Sequence, residues 1–161
     1  MKRPLALIAL FCLSAVAIAL YSQHVLGMRP CAWCVFQRLL AVLAAGIALA
    51  GLVLSMPRPA LGRLALALAG LTGLGGMAAA WHQYTVAAQQ FSCAQTLADR
   101  WMTGLGLDAA LPWLFGIQAG CMEARVNLLG VEYALWSLAL FTLVTACAAL
   151  GLLRRRRAVM N

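Results

Sequence analysis

Charge is scarce in this chain. Only 10% of its 161 residues are Asp, Glu, Lys or Arg, and just 4 are acidic. A soluble domain carries about 25% charged residues. With 65% of residues apolar, the composition excludes a soluble globular domain and points to a membrane protein. Alternation with period two over barrel-length segments is missing, which argues against a β-barrel. Also missing are a flavin fingerprint, a haem motif, an iron–sulfur spacing and a phosphate-binding glycine pattern. No internal repeat or low-complexity linker interrupts the chain.

What is present is hydrocarbon in four long runs. They cover about 5–25, 35–54, 64–80 and 133–153, each near the roughly 20 residues that cross a bilayer as a helix. Backbone groups in hydrocarbon must be paired within the segment, so these runs are expected to be helices. Ala17-Ile18-Ala19 has the small residues of a signal-cleavage site. The apolar stretch runs on to Val25, however, which is longer than a signal peptide needs. A retained first span is therefore expected.

The basic residues set the orientation. Lys2 and Arg3 precede the first run, Arg58 and Arg63 lie in the Pro57–Pro59 turn, and Arg154, Arg155, Arg156 and Arg157 follow the last run. No acid shares that side. On the other side Arg29, Arg38, Arg100 and Arg125 are balanced by Asp99, Asp108, Glu123 and Glu132. The positive-inside rule puts both termini in the cytoplasm and the remaining loops outside. The terminal arginines read as an anchor beside anionic lipid, and no nucleic acid is expected as a partner.

The short outer loop covers about 23–34 and the long one about 81–130. Pro30 is placed to open the second helix, where its missing N–H costs nothing. The long loop is broken by Gly104, Gly106, Pro112, Gly116 and Gly120. Trp101, Trp113 and Phe115 suggest that parts of it lie on the membrane surface. Gly70, Gly73, Gly75 and Gly76 in the third run favour close helix contacts.

Chemistry enters through cysteine. Cys31-Ala32-Trp33-Cys34 is a Cys-x-x-Cys pair, the spacing at which a disulfide opens and closes readily. Cys34 falls at the start of the second helix, where unpaired N–H groups and the macrodipole favour an anion. Arg38 follows one turn deeper on the same face. A cation at that depth marks function unless it snorkels to the interface. Cys93 and Cys121, in the long outer loop, most simply bond each other. They could form a static staple, or join Cys31 and Cys34 in a zinc site, although each stands alone rather than in a close pair. Two dithiols facing one compartment can instead pass electron pairs by thiol–disulfide exchange. His82, at the outer end of the third run, is either an interfacial histidine or a donor to a carbonyl ligand in the bundle. Cys12 and Cys147, inside the first and last runs, read as small packing residues or as a second thiol pair that relays electrons across the membrane. With no built-in electron carrier, the acceptor expected is small, apolar and dissolved in the bilayer, and a quinone fits those terms.

Four spans, Cys-x-x-Cys between the first two, Arg38 four residues later, and Cys93 and Cys121 between the last two resemble the DsbB family, disulfide bond formation protein B. The stretches Cys121-Met122-Glu123-Ala124-Arg125 and Leu128-Leu129-Gly130-Val131-Glu132 resemble that family's approach to its last helix. The resemblance implies an all-α membrane protein: a four-transmembrane-helix bundle over 1–161 with a short and a long periplasmic loop, in the bacterial inner membrane. It implies a thiol oxidoreductase that reoxidises a periplasmic DsbA-like thioredoxin-fold partner and passes electrons to ubiquinone or menaquinone. In that scheme Cys93 takes the partner, Cys121 exchanges with Cys31, and Cys34 meets the quinone beside Arg38, with His82 a further quinone-site residue. Ala32-Trp33 is bulky for the family's motif, and Val126 stands where an aromatic residue is expected. Vitamin K epoxide reductase relatives place their Cys-x-x-Cys late in the bundle, so they match less well. A non-enzymatic scaffold held by disulfides is the remaining alternative.

Overall fold

The computed structural model describes residues 2–56, 58–86, 96–120, 122–124 and 126–160, with 154–160 as helix backbone only. Pro57, Cys93, Cys121 and Arg125 lie outside the described residues. In chain order the elements are α1 (Lys2–His24), α2 (Ala32–Leu54), α3 (Pro59–Thr85), α4 (Leu97–Gly104), α5 (Leu107–Ala110), α6 (Pro112–Phe115), β1 (Asn127–Leu128), β2 (Val131–Glu132) and α7 (Tyr133–Met160). Helices α1, α2, α3 and the Tyr133–Leu153 part of α7 are long and apolar enough to cross a membrane. The fold is an all-α, four-span membrane bundle.

The helices reach beyond the apolar runs because their ends carry polar residues. α3 begins at Pro59, which takes the first-turn position that proline tolerates best. It continues to Thr85, so His82 and Gln83 are helical. Pro30 does not open α2 as expected. Cys31 is the N-cap instead, extended at φ −86° and ψ 170°, and its sulfur accepts the Cys34 N–H at 3.4 Å. Pro30 serves the long loop: its carbonyl accepts the N–H groups of Gln118 (3.0 Å) and Ala119 (3.3 Å).

α1 packs against α2 and α7, and α3 packs against α2 and α7, so the four run around a ring in the order α1, α2, α3, α7. Leu5, Ile8, Cys12, Leu66, Phe141 and Val144 meet at its centre with the small residues Ala44, Ala48 and Ala69. Cys147 packs against the same cluster. Small residues allow such approach where lipid offers no hydrophobic drive for association. At Gly76 an added Cβ would fall onto the Phe141 ring, and at Gly73 onto Thr145 and Val144 of α7. Gly75 faces open space and takes no part in this contact. Gly76→Ala is therefore expected to lose about 1–3 kcal/mol through overpacking. A lower midpoint in detergent-denaturant unfolding, with Gly75→Ala unchanged, checks this.

The long loop caps the end of the bundle where α1 leads into α2. α4 opens with a capping box in which Thr96 and Asp99 satisfy each other's backbone N–H. It buries Ala98 and Met102 and exposes Leu97 and Trp101. Trp113 is also exposed, whereas Phe115 is only 3% exposed. Phe115 is thus a correction to the surface expectation, because it packs with Met102 on Val35 of α2. β1 and β2 pair antiparallel through Asn127–Glu132 and Leu128–Val131. Their two-residue turn, Leu129 (φ 56°) and Gly130 (φ 80°), has the left-handed backbone a tight hairpin requires.

Candidate functional site

The N-cap geometry of α2 brings the two thiols of the Cys-x-x-Cys pair together. Cys31 is fully buried, Cys34 partly so, and their sulfurs are in hydrogen-bond contact at 3.1 Å. Gln83 of α3 reaches across to both. Its Nε2 donates to Cys34 Sγ at 3.1 Å and to Cys31 Sγ at 3.6 Å. Gln37, one turn into α2, donates its Nε2 to Gln83 Oε1 at 2.7 Å.

Arg38 points inward rather than snorkelling, and it is 6% exposed. Its Nη1 donates to Gln23 Oε1 of α1 at 2.8 Å and to the Leu114 carbonyl of α6. Both acceptors are neutral oxygens. A buried cation needs a compensating anion. The thiolate form of Cys34 would supply one, since Cys34 and Arg38 line the same two cavities.

The larger cavity, of about 470 Å³, lies among α1, α2, α7 and the hairpin. Its walls are mostly apolar, with Leu128, Leu129, Trp136 and Phe141 among them, and its polar contributions include Cys34, Gln37, Arg38 and Tyr133. The smaller, of about 40 Å³, is more polar and includes Ser22, Gln23 and Arg29 as well as Cys34, Arg38 and Tyr133. Arg38 Nε and Gln23 Nε2 are buried and find no hydrogen-bond partner among the described residues. Unmet buried donors are costly. Arg38 lines both cavities and Gln23 the smaller, so their donors, beside the apolar walls of the larger, suit a ligand that combines an apolar body with a carbonyl oxygen.

The family model for disulfide bond formation protein DsbB matches residues 1–151. This chain belongs to the DsbB family. It is 34% identical to disulfide bond formation protein B 1 of Pseudomonas putida, with 97% of this chain and 92% of that protein covered. It is 35% identical to disulfide bond formation protein B 2 of Pseudomonas aeruginosa, with coverage of 88% and 85%. The protein B of Ralstonia nicotianae is 32% identical, with 94% and 93% covered.

Seen as a DsbB-family site, the structure brings Cys31, Cys34 and Arg38 together. Cys93 and Cys121 lie outside the described residues. His82 lines neither cavity. Its ring lies against Trp33, with centroids 4.7 Å apart and planes tilted by 36°, and its Nδ1 is buried without a partner. The bulky Trp33 thereby finds a place in the core beside Ala79, Ala98 and Ala124. Val126 lines the smaller cavity, and Tyr133 supplies an aromatic ring to both. Gln23, Gln37, Gln83 and Tyr133 were missed by sequence reasoning. The one available signal was an amide inside an apolar helix, which is expensive in a membrane unless bonded.

Proposed function

We propose that this chain is an inner-membrane thiol oxidoreductase. It reoxidises a periplasmic DsbA-like, thioredoxin-fold dithiol protein and delivers the electrons to membrane quinone. The observation that carries the reading is the pairing of a Cys-x-x-Cys thiol with a buried arginine on the wall of one apolar cavity. Family membership supports disulfide formation as the activity. The eight basic residues flanking the chain termini and the α2–α3 turn support cytoplasmic ends and periplasmic loops.

A thiolate of the reduced partner attacks Cys93, forming a mixed disulfide and releasing Cys121 as a thiolate. Cys121 attacks Cys31 Sγ, a Cys121–Cys31 bond forms, and Cys34 leaves as a thiolate. The partner's second thiol attacks its own sulfur in the mixed disulfide and departs oxidised, freeing Cys93. Cys93 then attacks Cys121, re-forming the loop disulfide and leaving Cys31 and Cys34 as a dithiol. Cys31 and Cys34 would then close to a disulfide, their two electrons and two protons passing to the quinone that the cavity would hold.

Arg38, which lines both cavities, and Gln23, which lines the smaller, would hold the carbonyl end through their unmet donors, and the apolar walls of the larger cavity would hold the ring and tail. Arg38 would also offset negative charge that develops on oxygen. His82 is assigned the support of Trp33, and through it of the Cys31–Cys34 turn. The purified protein, given a reduced DsbA-like substrate, is expected to oxidise many equivalents with ubiquinone or menaquinone. Without added quinone, oxidation should stop once the protein's own disulfides are consumed. Equal oxidation with and without quinone would defeat the reading. A scaffold held by disulfides would show no turnover.

A further inference from the structure

Gln83 and Gln37 are 6% and 4% exposed, inside helices whose other buried side chains, Arg38 apart, are apolar. A buried primary amide costs several kcal/mol unless its hydrogen bonds are made. Here they are made to each other and to sulfur. Gln37 donates to the Gln83 oxygen at 2.7 Å, which leaves the Gln83 NH2 group facing the thiols. That group stands 3.1 Å from Cys34 Sγ and 3.6 Å from Cys31 Sγ. The guanidinium of Arg38 spends its described hydrogen bonds elsewhere, on Gln23 and Leu114. Among the described residues, the side-chain N–H that reaches Cys34 sulfur is that of Gln83.

A thiolate accepts a hydrogen bond strongly, because charge-assisted bonds are about twice as strong as neutral ones. A disulfide sulfur carries no charge and gains far less. An amide fixed in this orientation therefore favours the opened pair over the closed one, and favours the anion on the nearer sulfur. We infer that Gln83, oriented by Gln37, is the donor that directs the anion to Cys34 and so makes Cys34 the leaving group when Cys31 is attacked. The inference rests on the redox role proposed above for Cys31 and Cys34. A better-stabilised leaving thiolate departs faster in exchange, which directs attack to Cys31 rather than Cys34. Gln83 touches a reacting atom. Gln37 acts through Gln83 and is a positioning residue, and because it also lines the larger cavity it connects that space to the thiols.

The test uses full-length protein with Cys93→Ser and Cys121→Ser, so that Cys31 and Cys34 equilibrate alone with glutathione. Gln83→Leu should make their disulfide about tenfold harder to reduce, which corresponds to about 30 mV for this two-electron couple. It should also abolish the preference of iodoacetamide for Cys34 over Cys31, read by peptide mass. Gln37→Leu should shift the equilibrium about threefold, as expected from freeing the Gln83 amide to turn. It keeps Gln83 in place and carries the test if Gln83→Leu does not fold. An equilibrium and a thiol selectivity within about twofold of the parent in the folded variants would overturn the inference. Failure of the underlying reading looks different. The wild-type protein would then show no quinone-dependent turnover, even with the glutathione equilibrium shifted in the variants.

Discussion

Cys31→Ser is expected to oxidise about one equivalent of reduced partner and then stop, since a single loop disulfide exchanges once. In the proposed route Cys93–Cys121 can still accept that first pair of electrons. Cys121 then has no sulfur to attack, because the hydroxyl at position 31 forms no disulfide. Steady-state turnover should fall to the background of the assay while the burst remains. The split between burst and turnover separates a broken relay from a misfolded protein, which would lose both. Cys31 is fully buried and its sulfur caps α2. Serine keeps an oxygen acceptor at an N-cap, where it is among the preferred residues, so the helix start should survive. Sustained turnover by this variant would rule out the order of exchange proposed above.

Arg38→Ala is expected to raise the apparent Michaelis constant for quinone by about 10- to 150-fold, the range given by losing a charge-assisted hydrogen bond of about 1.5–3 kcal/mol. The change removes a cation from the cavity wall and leaves Gln23 Oε1 and the Leu114 carbonyl without their donor. The initial burst with partner should be much less affected, because the proposed route places partner exchange at the loop disulfide. Arg38→Lys keeps the charge but cannot span two acceptors with a planar fork, so it should fall between wild type and alanine. Unchanged quinone kinetics in Arg38→Ala would remove the role assigned to it.

The spans were readable because hydropathy and charge act over long windows. About twenty apolar residues leave a signal that no local detail disturbs. The Cys-x-x-Cys motif and Arg38 were readable because thiols and a membrane-buried cation are rare and chemically distinct. The amides were not. Gln83 follows His82 at a helix end, where a glutamine ordinarily contacts water, and nothing in its sequence neighbourhood says that it crosses to Cys34. That contact depends on which faces of α2 and α3 meet, and small residues shared by all the helices do not specify it. Phe115 was misplaced for a related reason. An aromatic residue in a loop between spans suits lipid and protein equally well, and only the close approach of α4 and α6 to Val35 decides.

Among the described residues, the long loop is fastened to the bundle through backbone groups within α6 and just after it. His24 Nε2 donates to the Trp113 carbonyl at 2.9 Å, Arg38 holds the Leu114 carbonyl, and Gln118 and Ala119 close onto Pro30. A chain trimmed to four bare spans would strand a guanidinium in hydrocarbon and uncover the apolar flank of Val35. The loop is therefore a lid that the chamber around Cys34 and Arg38 cannot dispense with. Minimal versions of this scaffold should keep residues 112–119 before any part of the cytoplasmic tail.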